Sequence, residues 1–258
     1  MIDHSAVTLF CLPFAGGSSH SYRELQRYAD EHLRFVALDL PGRGKRFTEP
    51  LLYNLQDMVD DLFAQIRNRL DGAYAIYGHS LGACLGYLLV KRLIREKHPL
   101  PLHLFVSGRE GPSVQGKEKN RHLLPRAAFF EVLERFEGTT REVLDHQELM
   151  DLFEPILRAD FQVIATYVYE KSAPFDVPIT VMRGDGESVT KAEALRWQEE
   201  TTKKITLLEF PGGHFFIFRH AQEIVRMFSR TVRPSSGVAK WRRSTESGPL
   251  PSPLLTEI

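Results

Sequence analysis

The residues with the clearest chemical potential form the run Gly78-His79-Ser80-Leu81-Gly82. A Gly-x-Ser-x-Gly pattern between a strand and a helix is typical of a sharp turn that exposes a serine hydroxyl as a nucleophile. The apolar segment Ala73–Tyr77 before the run predicts a buried strand, and Ala83–Leu93 after it predicts a helix. Both glycines suit this turn, because a Cβ at either position would collide with the adjacent strand or helix. We therefore predict that Ser80 is a nucleophile for acyl transfer.

A serine hydroxyl needs a base that takes its proton, and the sequence contains ten histidines. His214 follows the last predicted strand and two glycines, so it falls at the same sheet edge as Ser80. His79 is adjacent to the serine, but we expect its side chain to point away across the turn. His122 and His146 fall in a helical stretch. We predict that His214 is the base.

A carboxylate that orients the base is expected between the serine and the histidine in chain order. The predicted strand Pro178–Met182 is followed by two candidates, Asp185 and Glu187. Either one could accept the N–H of His214, fix its tautomer and stabilise the imidazolium. The spacing alone leaves this choice open.

The tetrahedral intermediate of acyl transfer needs two N–H donors for its oxyanion. One is expected from the backbone of Leu81, directly after the nucleophile. The other is expected from Phe14-Ala15-Gly16-Gly17, after the first predicted strand, with Ala15 favoured and Phe14 as the alternative. Phosphate binding by the two glycines is not favoured, because neither a Gly-x-Gly-x-x-Gly pattern nor a Walker lysine is present.

Other chemistries find little support in the sequence. It contains no His-Glu-x-x-His and no Cys-x-x-Cys pattern, so we predict no metal and no organic cofactor. The formal net charge is zero, and the aromatic helical stretch lacks Lys and Arg interleaved at strand spacing, so we expect no nucleic-acid partner.

Alternating elements must position these residues. Helical patterns over Tyr22–Tyr28 and after the N-cap candidate Asn54 separate short apolar runs. Crossovers of helical length favour parallel strands in a doubly wound α/β sheet. The predicted strands are Val7–Leu12, Leu33–Leu38, Ala73–Tyr77, Leu102–Val106, Pro178–Met182 and Ile205–Phe210.

The stretch 109–177 breaks this alternation, because it shows helical periodicity and no strand-like run. We interpret it as a helical lid inserted over the carboxyl ends of the strands; the alternative is that its helices pack on the sheet as ordinary elements. We expect Pro155 in the first turn of the second helix, where its missing N–H costs nothing. Two faces are predicted: Phe129, Leu133 and Phe136 on one helix, and Leu157, Phe161, Ile164, Ala165 and Val168 on the other.

Length and composition fit one large domain. The chain has 258 residues, 43% hydrophobic and 26% charged, and we assign the domain to 1–232 and a disordered tail to 233–258. Cys11 and Cys84 lie in apolar segments and favour a reducing compartment. The start of the chain resembles no signal peptide, and no apolar run reaches about 18 residues. We expect a cytoplasmic monomer without a membrane partner.

Several of these motifs together resemble the type II thioesterases that accompany polyketide synthases and nonribosomal peptide synthetases. The resemblance runs from Leu9 to about Thr231. Its specific pieces are Leu12-Pro13-Phe14-Ala15-Gly16-Gly17, Asp39-Leu40-Pro41-Gly42-Arg43, Gly78-His79-Ser80-Leu81-Gly82-Ala83, Trp197 and Phe210-Pro211-Gly212-Gly213-His214-Phe215-Phe216.

The resemblance implies an α/β-hydrolase fold with a helical lid. It also implies hydrolysis of aberrant or stalled acyl groups from the phosphopantetheine arm of acyl or peptidyl carrier proteins. In this family the acid usually follows as Gly-x-x-Asp; that position is Glu187 here, so the resemblance favours Glu187 over Asp185. The competing hypotheses are a small-molecule carboxylesterase or lipase and a non-catalytic docking module for carrier proteins.

Overall fold

A parallel sheet of six strands forms the centre of the described chain. The computed structural model of the protein describes residues 6–114, 120–136 and 146–233, so the expected disordered tail lies outside the described residues apart from Arg233. The strands are β1 Val7–Leu12, β2 Leu33–Ala37, β3 Tyr74–His79, β4 Leu104–Ser107, β5 Ile179–Gly184 and β6 Thr206–Phe210.

The strand order is β2-β1-β3-β4-β5-β6, and each neighbouring pair is parallel. The predicted doubly wound α/β sheet is therefore confirmed. Because parallel strands end at the same edge, the loops after β1, β3, β5 and β6 gather there. The order reverses between β1 and β3, and such a reversal is where open α/β sheets bind ligands.

Helices cover both faces of the sheet. Alternate residues of β1 point to opposite faces. Phe10 and Leu12 join a core with α2 (Leu55–Ile66) and α3 (Leu81–Arg95), while Leu9 and Cys11 join a core with α1 (Arg23–Gln26) and α8 (Ala221–Val232). Cys11 and Cys84 are both free and buried. The α-helices of the described residues are α1 Arg23–Gln26, α2 Leu55–Ile66, α3 Leu81–Arg95, α4 Arg126–Arg135, α5 Gln147–Ala165, α6 Lys191–Leu195, α7 Phe216–Arg219 and α8 Ala221–Val232.

Local signals explain where two of these helices begin. Asn54 caps α2, since its Oδ1 accepts the Gln56 N–H at 2.7 Å, as predicted. The helix predicted over Tyr22–Tyr28 is split instead: a 3-10 helix over Ser19–Tyr22 precedes a short α1. Ser18 starts this segment early, because it forms a capping box with Ser21.

The helices α4 and α5 lie between β4 and β5 in the chain; we call residues 109–177 the insertion. Phe129 and Leu133 of α4 pack on Met150 of α5 in a small separate core. The expectation for Pro155 is wrong, because it lies inside α5, eight residues after the start at Gln147. The helix begins before the proline because His146 caps its N-terminus and Met150 packs against α4.

One member of the predicted face on α5 is also misplaced. Val168 lies beyond the end of α5 at Ala165 and is 77% exposed. Val163, which the predicted face omits, is fully buried instead. The helical repeat therefore ends one turn earlier than the apolar pattern indicates.

Buried His103, directly before β4, generates a prediction about stability. Its Nε2 lies 2.8 Å from Thr180 Oγ1, and its ring stacks on Phe105 with centroids 4.3 Å apart. Burial lowers the pKa of His103 from 6.5 to about 4. The unfolded chain therefore binds a proton below pH 6.5 that the native protein does not, and stability is lost as the pH falls from 6.5 towards 4.

We expect His103→Gln to flatten this dependence by up to about 1.4 kcal/mol per pH unit. Guanidinium unfolding at several pH values between 7 and 4 measures the slope, separately from any constant loss caused by the substitution. The exposed His20 provides the control variant, His20→Gln. Parallel slopes for His103→Gln and the unsubstituted protein would contradict the prediction.

Candidate active site

Ser80 occupies a strained turn between β3 and α3. Its backbone has φ +54° and ψ −114°, a conformation that residues other than glycine rarely adopt. The Ser80 N–H donates to Ser107 O at 2.8 Å, which ties the turn to the end of β4. The side chain is left half-buried at the carboxyl edge of the sheet. This geometry matches a nucleophile elbow.

The two glycines of the pattern allow this turn to form. A Cβ on Gly78 would lie 2.0 Å from Gly82 O, and a Cβ on Gly82 would lie 2.6 Å from Leu12 O. Both contacts are with backbone atoms, which have no room to move aside. The steric reason predicted for these glycines is confirmed.

His214 and Glu187 meet at the same edge of the sheet. Their Nδ1 and Oε2 atoms are 2.9 Å apart, and the Glu187 side chain is only 1% exposed. The other oxygen of Glu187 accepts the Gly184 N–H at 3.0 Å, so both carboxylate oxygens have donors. A carboxylate beside Nδ1 favours the tautomer with its proton on Nδ1, which leaves a lone pair on Nε2.

Asp185, the other predicted acid, has a different contact. Its Oδ1 accepts the Gly212 N–H at 2.9 Å, and the residue is exposed. The Gly186 N–H also donates to Gly212 O at 2.9 Å. Asp185 therefore helps to join the loop after β5 to the loop that carries His214, whereas Glu187 contacts the imidazole itself.

His79 lies closer to the site than we expected. Its ring packs against His214 with centroids 4.7 Å apart, whereas its direction relative to the Ser80 hydroxyl stays a prediction. His79 Nδ1 lies 2.9 Å from Ser107 Oγ. Burial holds the pKa of His79 well below its usual value, and the neighbouring His214 lowers it further. The side chain is therefore neutral. His122 and His146 lie in the insertion, as expected.

Gly108, which is absent from the predicted site, makes room for both imidazoles. A Cβ there would lie 2.4 Å from the Cε1 atom of His79 and 3.0 Å from that of His214. Gly108 also has φ +61°, which favours glycine. The only signal in the sequence was a glycine two residues after the end of a predicted strand.

Aromatic side chains enclose His214. The Phe215 ring lies edge-on at 5.2 Å, and Phe136 of the insertion lies on another side, also at 5.2 Å between centroids. Phe14 contacts Phe215 and His79 in turn. The imidazole is only 11% exposed, so an acyl group beside it would meet little water.

The two predicted oxyanion segments are neighbours, because Leu12 at the end of β1 pairs with Gly78 near the end of β3. Leu81 is the first residue of α3, where N–H groups have no partner within the helix. In the loop after β1 the Gly17 N–H donates to Phe14 O at 2.8 Å, which closes a tight turn around Ala15 and Gly16. Leu81, Ala15 and Phe14 are thus within one corner of the sheet edge.

Two features are absent from the described parts of the chain. Within 6–114, 120–136 and 146–233, no group of three or more His, Cys, Asp or Glu side chains is arranged to hold a metal ion. Across the same ranges, no helix is long and apolar enough to cross a membrane.

The parallel sheet, with a serine elbow after β3 and a histidine after β6, is the arrangement of the α/β-hydrolase fold. Solved structures agree. ClbQ, from the colibactin NRPS/PKS pathway, superposes with a TM-score of 0.84 at 33% identity, over 88% of this chain and 97% of ClbQ. The type II thioesterase BorB, from the borrelidin biosynthetic cluster, gives a TM-score of 0.82 at 32% identity, over 89% and 94% of the two chains.

The thioesterase domain family model matches residues 7–232. The gramicidin S biosynthesis protein GrsT of Aneurinibacillus migulanus is 33% identical, over 87% of this chain and 88% of GrsT. The thioesterase PikA5 of Streptomyces venezuelae is 31% identical, over 86% of this chain and 79% of PikA5. The chain belongs to the thioesterase family.

Proposed function

We propose that this chain is a type II thioesterase, which hydrolyses aberrant or stalled acyl groups from the phosphopantetheine arm of acyl or peptidyl carrier proteins. The hydrogen bond between His214 and the buried Glu187, beside the Ser80 elbow, is the observation that carries this proposal. Family membership and relatives from peptide and polyketide pathways support the substrate class. The editing enzyme would act in the cytoplasm as a monomer.

In the first half of the proposed reaction, the Ser80 hydroxyl attacks the thioester carbonyl while His214 Nε2 takes its proton. The Leu81 N–H and a second N–H, from Ala15 or alternatively Phe14, hold the oxyanion. The C–S bond then breaks, and the pantetheine leaves as a thiolate that takes the proton back. A thiolate is a good leaving group, so this step needs less acid catalysis than amide cleavage.

In the second half, water attacks the acyl-enzyme while His214 takes its proton, and Ser80 leaves with that proton restored. The Glu187 carboxylate stabilises the imidazolium in both halves. The neighbouring His79 stays neutral because it is buried, so it adds no positive charge against the imidazolium. No step requires a metal or an organic cofactor.

We interpret the insertion, about 109–177 within a domain of 1–232, as a lid that shapes the acyl pocket. Three of its contacts with the carboxyl edge support this role: Phe136 meets His214, while Leu157 and Asp160 meet Gly16. The rim between the insertion and the strand ends would receive the carrier protein.

We expect Ser80→Ala to lower the turnover of an acyl-carrier thioester at least about 1,000-fold, because it removes the nucleophile. The loss is measured as the rate at which hydrolysis releases the free carrier thiol. Ser113→Ala, which removes a hydroxyl bonded to Glu199 outside the site, is the control. Near-normal turnover by the Ser80 variant would refute the mechanism.

Glu187→Ala should lower kcat by roughly 100- to 10,000-fold, because His214 loses the partner of Nδ1. Asp185→Asn is the matched variant, since an amide oxygen can still accept the Gly212 N–H, and it should retain most activity. Steady-state kinetics with one acyl-carrier substrate compare the two. Loss of activity in the Asp185 variant but not in the Glu187 variant would reverse the assignment of the acid.

The substrate class predicts a higher kcat/KM for acetyl-carrier protein than for a simple aryl ester, because the carrier thioester adds binding contacts beyond the acyl group. Hydrolysis of both at equal concentration gives the comparison, with Ser80→Ala as the blank for each. Faster ester cleavage would favour a carboxylesterase. Tight binding of the carrier without turnover would favour the docking module.

A further inference from the structure

A buried ion pair joins the insertion to the body of the protein. Arg43, in the loop after β2, donates from both terminal nitrogens to the two oxygens of Asp160 in α5, at 2.6 and 2.8 Å. The side chains are 2% and 0% exposed and lie 117 residues apart in the chain. Two parallel bonds of this kind fix the direction of the carboxylate as well as its position.

Asp160 also holds the loop after β1. The same oxygen that takes one Arg43 nitrogen accepts the Gly16 N–H at 2.8 Å. One helical turn earlier, Leu157 fills the space beside Gly16, where a Cβ would lie 2.6 Å from Leu157 Cδ2. Gly16 has φ +73°, so both the space and the backbone angle require glycine there.

These contacts constrain both peptide planes around Ala15. In the plane before it, the Phe14 carbonyl accepts the Gly17 N–H at 2.8 Å, and in the plane after it, the Gly16 N–H is held by Asp160. Peptide units are planar and trans, so binding the Phe14 carbonyl also sets the opposite direction of the Ala15 N–H. The Ala15 N–H is the favoured second oxyanion donor.

The loop after β2 thus supports the loop after β1 at both ends. Asp39 accepts the N–H and hydroxyl of Ser19 at 2.6 and 2.8 Å, downstream of the turn. Arg43 acts on the upstream end through Asp160. This explains why an Asp and an Arg bracket the run Asp39-Leu40-Pro41-Gly42-Arg43, for which the sequence suggested no role.

Stability alone does not account for the pair. Burying two charges costs desolvation free energy, and a well-packed apolar pair of similar volume is often as stable or more so. What an apolar pair lacks is an oriented acceptor for the Gly16 N–H.

We propose that Asp160, oriented by Arg43, is a positioning residue for the oxyanion loop, Phe14–Gly17. The second oxyanion donor then points into the site only while α5 packs against the edge of the sheet. This inference depends on the proposed thioesterase function. It makes the insertion part of the catalytic geometry in addition to its role as a cover.

The test variant is Arg43→Met/Asp160→Leu, which keeps the volume and leaves no buried charge unpaired. Asp160→Ala alone would strand the Arg43 charge and is prone to unfold. The control makes the same two types of change, Arg126→Met/Asp151→Leu, at a pair that joins α4 to α5; its charged atoms are 2.6 Å apart and its side chains are 42% and 52% exposed. Circular dichroism establishes that each variant is folded.

Three readouts separate positioning from a purely structural role. We expect kcat on an acyl-carrier thioester to fall about 10- to 100-fold in the Arg43/Asp160 variant, with KM changed by less than about threefold. The inhibition constant of an alkyl boronic acid, whose serine adduct places an oxygen among the oxyanion donors, should rise by a similar factor. Hydrogen exchange at the Gly16 amide should accelerate. The Arg126/Asp151 variant should match the unsubstituted protein in all three.

Two results would overturn the inference. The first applies once hydrolysis by the unsubstituted protein has been shown to depend on Ser80. It is a folded Arg43/Asp160 variant whose kcat and boronate inhibition constant are both unchanged. The other is unchanged exchange at Gly16, which needs no enzymatic activity to be measured. Hydrolysis that survives Ser80→Ala would instead refute the proposed function, and the Gly16 exchange would still report on the contact with Asp160.

Discussion

The close approach of β1, β3 and the start of α3 is the constraint on which the site depends. Backbone atoms of these elements leave no space for a side chain at Gly78 or Gly82. Between the two glycines the chain turns sharply, and Ser80 takes a positive φ in that turn. The parallel ladder sets the distance between the strands, so the loop after β1 and the first turn of α3 become neighbours. The elbow and the predicted oxyanion segments are therefore one structural unit.

The environment of His214 follows from the same sheet edge. The loop after β4 supplies Gly108, the end of β3 supplies His79, and the loop after β5 supplies Glu187. The imidazole thus has a buried carboxylate on one side and a neutral ring on another. Burial keeps the second imidazole, that of His79, in its neutral form, so it adds no positive charge beside His214.

Much of the fold and several site positions could be predicted from the sequence, because their signals are local. Apolar runs mark the strands, and Ser80, His214 and both candidate carboxylates follow the ends of such runs. Strand ends were less predictable. β3 extends to His79 and β5 to Gly184, because the ladder continues through polar residues and glycine that do not extend the apolar pattern.

Features that depend on distant contacts could not be predicted. The spacing left the acid open, because side-chain reach and the competing Gly212 N–H separate Glu187 from Asp185 only in three dimensions. The packing of His79 on His214 requires the glycine at 108, directly after a third strand. Pro155 was misplaced because the helix on its N-terminal side is held by the packing of Met150 against α4, which leaves no mark beside the proline.

The bond from Gly16 to Asp160 limits how this enzyme could diversify. Segments that connect strands generally tolerate insertion and sequence change better than the strands themselves. Here α5 of the insertion contributes the Asp160 carboxylate, which binds the Gly16 N–H and the Arg43 side chain. These two partners lie in loops more than a hundred residues earlier in the chain. A transplanted insertion would have to bring a carboxylate to that point, or the recipient would have to give up its arginine as well.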